Sequence, residues 1–253
     1  MNTAIFVPVR LSSTRLPSKG LLNLHGKPCL QLLIERLKRA KNIDLIILCT
    51  TKEASDDNLV DFAKKNGIKW YRGKTSDIID RYYHAAKEFN VDTIINVDGD
   101  DIFCEPSFIE RTAKEMMNSD IDFIIWKDLP LGSTPLGVKV EALTKVWKLK
   151  ETDDTETGWA RFFTDTGLFN FKILTSENPT IQDSSIRLTL DYPEDFKLLE
   201  KIYENLEEPF SLVDIVNLLR RNPELRKIND NLHDVYMKNF KQKSAKIKMK
   251  GKT

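Results

Sequence analysis

TAIFVPVRLSSTRLPSKGLLNLHGKPCLQLLIERLKRAKNIDLIILCT, residues 3–50, decides the fold. It opens on an apolar run rich in β-branched residues, TAIFVPV (3–9), and closes on a second, DLIILCT (44–50). Neither run alternates polar with apolar positions, so each reads as a strand buried on both faces. Between them GKPCLQLLIERLKRAK (26–41) sets Leu30, Leu33, Ile34 and Leu37 on one helical face, with Pro28 suited to the first turn. A strand, a helix and a second buried strand in succession make a parallel pair joined by a right-handed crossover.

The same alternation continues downstream. Residues 56–66 read as a helix and IKWY (68–71) as a short strand. Ile78, Ile79, Tyr82, Ala86 and Phe89 mark a helix over 77–90, and TIINV (93–97) is the next strand. Further strands are expected at IDFIIW (121–126), LGVKVEAL (136–143), TGLFNF (166–171) and IRLTL (186–190), with amphipathic helices over 193–206 and 211–221. The fold class is α/β: a Rossmann-like, mainly parallel sheet with helices on both faces. One domain is expected over 1–237, with an irregular insertion around 127–170. The C-terminal ends of the parallel strands then share one edge, where such sheets bind ligands.

Composition narrows the setting. The chain has 253 residues, 41% hydrophobic and 30% charged, and no apolar run approaches the ~18 residues of a membrane span. The start MNTAIFVPVR lacks a basic n-region, so a cytoplasmic protein without a secretory signal is expected. Cys29, Cys49 and Cys104 have no CxxC spacing and lie in or beside apolar runs, which suits core packing in a reducing compartment. The net charge of +1 conceals an asymmetry: seven lysines and no acid fall within 238–253, leaving 32 Lys and Arg against 38 Asp and Glu in the body. So polar a tail is expected to be disordered, serving solubility or else attachment to an anionic surface. The acidic body speaks against nucleic acid as a partner.

Chemistry concentrates in the loops that follow the strands. VPVRLSSTRLPSKG (7–20) gathers Arg10, Arg15 and Lys19 with Ser12, Ser13 and Thr14. Hydroxyls and backbone N–H groups suit phosphate oxygens, and two guanidiniums with an ammonium offset a polyphosphate charge. The loop is neither a GxxxxGK[ST] nor a GxGxxG turn, and a basic surface loop is the structural alternative. VDGDD (97–101) brings Asp98, Asp100 and Asp101 to a strand terminus, either aimed at a hard cation or forming an ordinary Asp/Gly turn. LTLDYPEDF (188–196) sets Asp191 where strand meets helix, as a second carboxylate of that site or as a helix cap. Two carboxylates facing one basic loop would make a metal-assisted phosphoryl or nucleotidyl transfer site. His25, His84 and His233 are dispersed, without metal-ligand spacing.

Taken in order, VPVRLSSTRLPSKGLLNLHGKPCLQLLIERL (7–37), RGKTSDIIDRYYHAA (72–86), VDGDD, LTLDYPEDFKLLEKIY (188–203) and NPELRKIN (222–229) resemble the cytidylyltransferases that make CMP-activated sugar acids. CMP-Kdo and CMP-sialate synthetases are of this kind, and the SpsF-type branch is similar throughout, except that 127–185 matches poorly. The resemblance implies a fold of the nucleotide-diphospho-sugar transferase type, and transfer of CMP from CTP to an acidic sugar with Mg²⁺ as cofactor. Arg10, Ser13, Arg15 and Lys19 would hold the triphosphate, Arg81 would help enclose cytosine and ribose, and Asp98 would touch the ribose. Asp100 and Asp191 would bind the metal, with Arg15 and Lys19 stabilising the departing pyrophosphate. Ser18 stands where the family's RLPGK pattern has glycine. In the poorly matching stretch, Trp159 and Arg161 would meet the acceptor, or else serve core or interface. Residues 136–149 would form pocket wall or the arm of a homodimer. A nucleotidyltransferase on the same fold using another NTP, or a phosphonate or phospho-sugar acceptor, is the alternative.

Overall fold

The computed structural model describes residues 2–117, 120–244 and 246–250. The chain runs β1 (Thr3–Pro8), a hairpin of β2 (Asn23–Leu24) and β3 (Lys27–Pro28), α1 (Cys29–Leu37), β4 (Leu45–Thr51), α2 (Asp57–Lys65), β5 (Lys69–Gly73), α3 (Ile78–Glu88), β6 (Thr93–Asn96) and α4 (Pro106–Met117). There follow β7 (Phe123–Trp126), β8 (Leu136–Lys139), α5 (Val140–Leu149), α6 (Arg161–Thr164), β9 (Phe171–Leu174), α7 (Pro193–Asn205), α8 (Leu212–Arg221), α9 (Pro223–Arg226) and α10 (Leu232–Lys243).

Seven strands form one sheet in the order β5-β4-β1-β6-β8-β7-β9. All are parallel except β8, which pairs antiparallel with both β6 and β7. The apolar runs are buried on both faces, as their lack of alternation requires. Ala4 and Phe6 of β1 meet α3 and α5 through Tyr82 and Leu143, while Ile5 and Val7 meet α1 and α2 through Leu33 and Leu59. A third cluster packs α7 and α8 over the far end of the sheet through Ile124, Leu199 and Ile215.

β1 is the switch point. From it the chain moves outward through β4 and β5, then returns to add β6 on the other side. The loops leaving β1 and β6 therefore flank the crevice where parallel sheets of this kind bind ligands. Gly99 allows the two loops to touch: its N–H donates to the Pro8 carbonyl at 3.0 Å. A Cβ there would come within 2.8 Å of Val9 Cβ and 2.9 Å of Pro8 O.

Several expectations change. LGVKVEAL is strand only to Lys139, and α5 begins at Val140. TGLFNF precedes its strand, for β9 starts at Phe171. IRLTL has no ladder, contributing a single bridge from Arg187 to Leu131. Pro28 lies just before α1 rather than inside it. Within 127–170, β8 sits between β6 and β7 and α5 packs on α3. Lys238, Lys241 and Lys243 belong to α10, and Met249 bridges Lys150 and is buried beside Ile247. In KIKMK the lysines alternate with apolar residues, so one side of the segment can be buried while the ammonium groups stay wet. Lys252 lies outside the described residues.

Candidate active site

The basic loop is built to present its charges. Its base is fixed by Asp56, which accepts from Leu11 N at 2.9 Å and from Thr50 Oγ1 at 2.9 Å. Ser18 adopts a left-handed conformation, φ 53° and ψ 28°, and opens the short 3₁₀ turn that begins with Lys19. The opposing acids come from two elements. Asp98, Asp100 and Asp101 fill the turn after β6, with one carboxylate oxygen from each lying within 4.8 Å of the others. Asp191 lies one residue before the Tyr192 that caps α7, so it does not cap the helix itself.

Loop and acids meet directly. The Lys19 ammonium bonds both Asp100 and Asp191, the latter at 2.9 Å, and Arg15 pairs with Asp191. Burial by itself would lower the Lys19 pKa, but the two carboxylates outweigh it and hold the ammonium above its ordinary value. Burial would likewise raise Asp191; Lys19, Arg15 and Arg187 hold it down at about 2. Asp98 faces solvent deep in the cleft and accepts from Asn96 Nδ2 at 3.0 Å, while Asn96 accepts from the Tyr82 hydroxyl. Desolvation, and then the Asp100 carboxylate, push its carboxyl up to about 6. Asp101 is raised well above the carboxylate range by the same burial and like-charge crowding. So dense a set of oxygen donors suits a hard divalent cation.

Arg81 is buried, bonding Lys74 O at 2.6 Å and Glu156 Oε2 at 2.9 Å; Arg10 approaches the same Glu156 at 3.9 Å. Ser12, Ser13 and Thr14 are on the loop's outer turn, with Ser12 and Thr14 exposed. The other two expectations separate from the site. Trp159 is a core residue, its ring edge-on to Tyr82, Phe123 and Phe163, because a large aromatic next to an apolar strand is worth more buried than lining a polar cleft. Arg161 bonds Asp165 at 2.8 Å on the surface. Two sizeable surface hollows, one beside Lys87 and Lys145 and one beside His25 and Tyr203, contain none of the acids above.

Arg187 went unread in the sequence. Its side chain is fully buried, bonding Asp195 through Nε at 2.9 Å and Asp191 through Nη2 at 3.1 Å. Asp195 also accepts from the backbone N–H of Asp191 and of Tyr192 at 2.9 and 3.0 Å, and from Asn229 at 2.8 Å. An arginine within the apolar run IRLTL was the available signal, since a buried cation requires an acid beside it. Glu156 gave no such signal, for Arg81 and Arg10 lie far earlier in the chain and meet it only in the fold.

Comparison with known proteins identifies the family. Residues 4–215 match the family described as Cytidylyltransferase. A protein of Methanocaldococcus jannaschii, itself described as uncharacterized, is 31% identical over 233 residues, covering 89% of this chain and 93% of its own. The spore coat polysaccharide biosynthesis protein SpsF of Bacillus subtilis is 24% identical over 232 residues, 88% of this chain and 97% of its own. The structure of a cytidylyltransferase from Leptospira borgpetersenii superposes with a TM-score of 0.81 at 28% identity, covering 89% of this chain and 97% of that one. That agreement spans strands on both sides of the switch point, and it makes the chain a member of the cytidylyltransferase family.

Proposed function

We propose that the chain transfers CMP from CTP to a small acidic sugar of the nonulosonic or Kdo-like kind, releasing pyrophosphate, in the synthesis of a surface polysaccharide or glycan. One observation carries the reading: the Lys19 ammonium lies between Asp100 and Asp191, so phosphate-binding cations and metal-binding acids share one crevice. The sequence resemblance supports the sugar acid, and the name of the Bacillus subtilis relative supports the polysaccharide setting.

The donor set fits Mg²⁺, which favours carboxylates supplemented by substrate phosphates, and Asp100 and Asp191 would hold it. Bound there, the ion would offset phosphate charge and lower the pKa of the acceptor hydroxyl. The chain's own residues do the rest. Arg10, Ser12, Ser13 and Thr14 receive the phosphates, while Arg81 and Asp98 border the nucleoside. As the acceptor oxygen bonds the α-phosphorus and the bond to the β-phosphate oxygen breaks, Arg15 and Lys19 neutralise the charge gathering on pyrophosphate. Both must exchange a carboxylate for phosphate oxygens, and the short loop already points them at the crevice. The unit is a homodimer in this reading, with exposed Phe171 and Ile173 on edge strand β9 offering a pairing edge.

Pyrophosphate release with each of four NTPs against a panel of sugar acids, phosphonates and phospho-sugars tests the proposal. CTP with a sugar acid should turn over; turnover confined to another NTP or to a phospho-sugar would overturn it. Asp100→Asn should fold normally and lose activity by orders of magnitude. Lys19→Ala should slow turnover by about 10²–10³-fold, as loss of a charge-stabilising donor does. Unchanged kinetics in either variant would remove that residue from the site.

A further inference from the structure

The segment 229–250 lies beyond the residues that match the family, yet it is fastened to the acidic side of the crevice. At its start Asn229, buried, donates to the Arg187 carbonyl at 3.1 Å as well as to Asp195. Midway, Asn239 of α10 donates to the Tyr192 hydroxyl at 3.1 Å. Past α10, Ser244 crosses so close to Gly158 that a Cβ there would come within 2.9 Å of its Oγ. Met249 then bridges Lys150.

Arg187 needs this cover. Its Nε and Nη2 are bonded to acids, but the buried Nη1 has no hydrogen-bond partner. A desolvated guanidinium N–H without an acceptor is costly unless an aromatic face takes its place. Two such faces are present: the guanidinium carbon lies 5.6 Å from the Tyr192 ring centroid and 4.9 Å from that of Tyr236. Burial, and then Asp100 and Asp191, hold the Tyr236 phenol above its ordinary pKa, so the ring beside these acids is neutral.

We propose that Tyr236 is a positioning residue for Asp191: by covering Arg187 it keeps that guanidinium, and through it the Asp191 carboxylate, in the orientation that receives the divalent cation. The inference rests on the reading of Asp191 as a metal ligand given above. The C-terminal segment is then a working part of the site and not an appendage to it.

Electron paramagnetic resonance titration of the full chain with Mn²⁺, paired with calorimetric titration of CTP without metal, tests this. Tyr236→Leu keeps an apolar side chain there but has no π face, and it should weaken Mn²⁺ binding by about tenfold, whereas Tyr236→Phe stays within about twofold of wild type. Metal-free CTP affinity should change less than Mn²⁺ affinity in Tyr236→Leu, since the change reaches the basic loop only through the pairing of Asp191 with Arg15 and Lys19. Asn239→Ala, which leaves the core intact, should weaken Mn²⁺ by about threefold and decides the matter if the Tyr236 variants aggregate. Wild-type Mn²⁺ affinity in Tyr236→Leu, or in Asn239→Ala where that variant decides, would overturn the role. So would an equal loss of metal-free CTP binding, which would mark a general structural effect. Asp191→Asn separates the two readings. If it alone abolishes Mn²⁺ binding, only the role of Tyr236 falls; if it binds like wild type, the metal-ligand reading falls and takes Tyr236 with it.

Discussion

Ser18 holds a left-handed backbone in which a Cβ costs roughly 1–2 kcal/mol, and the glycine of the family's pattern would relieve that strain. Glycine also loses more entropy on folding, so Ser18→Gly should gain only about 0.5–1 kcal/mol in denaturant unfolding. A loss instead would mean that the serine makes a compensating contact. Gly99 presents the opposite case. Alanine there would force the β1 and β6 loops apart, and Gly99→Ala should cost on the order of 1–3 kcal/mol and weaken CTP binding. Equal stability and affinity would show that the loops can separate freely. The cysteines make a third test. Cys29, Cys49 and Cys104 are fully buried, and burial pushes the Cys29 thiol up to about 12 and holds the Cys49 and Cys104 thiols above their ordinary value. Ellman's reagent should find no fast-reacting thiol in the native chain and all three after denaturation.

Helix α8 starts with a reciprocal cap, in which Ser211 Oγ accepts from Asp214 N at 3.3 Å while Asp214 Oδ2 accepts from Ser211 N at 2.8 Å. Ser211→Ala should cost about 1 kcal/mol. The bonds to Ser211 hold the Asp214 pKa below its ordinary value. This contribution is therefore complete above the unfolded carboxylate range and fades as pH falls through the folded value. The gap between wild type and variant in thermal unfolding should accordingly narrow in acid; a gap that widened would contradict the cap. Elements of this kind were legible wherever local sequence decides them. The strands at 3–9 and 44–50 are continuous apolar runs, and α1 has its apolar stripe in plain view. VKVEAL fits strand and helix equally, and only the pairing of β8 with β6 ends the strand at Lys139. Lys19, Asp100 and Asp191 could be read as a site because each lies in a loop that follows an apolar run. Glu156 and Tyr236 could not, since their partners are set by tertiary folding, whereas Arg187, with its acids four and eight residues on, carried a local signal that went unread.

Across the molecule, the parallel strands bring the loops that follow β1, β5 and β6 to one edge, and α10 bonds Tyr192 beside the acids there. Among the described residues no helix is long and apolar enough to cross a membrane. Lys246, Lys248 and Lys250 flank Ile247 and Met249, which pack on the body. The reversed direction of β8 settles how the opposite bank of the crevice is made. Running against its neighbours, β8 ends beside Thr93, where Val140 N donates to the Asp92 carbonyl at 2.9 Å at the foot of β6. Helix α5 must then climb the full height of the sheet, antiparallel to α3, and it finishes where Lys150 meets Asp77, the cap of α3. One backward strand thus serves as a return flight of stairs. It lands the chain on the upper storey at residue 150, within a few steps of where Glu156 takes hold of Arg81, without spending a separate excursion outside the sheet.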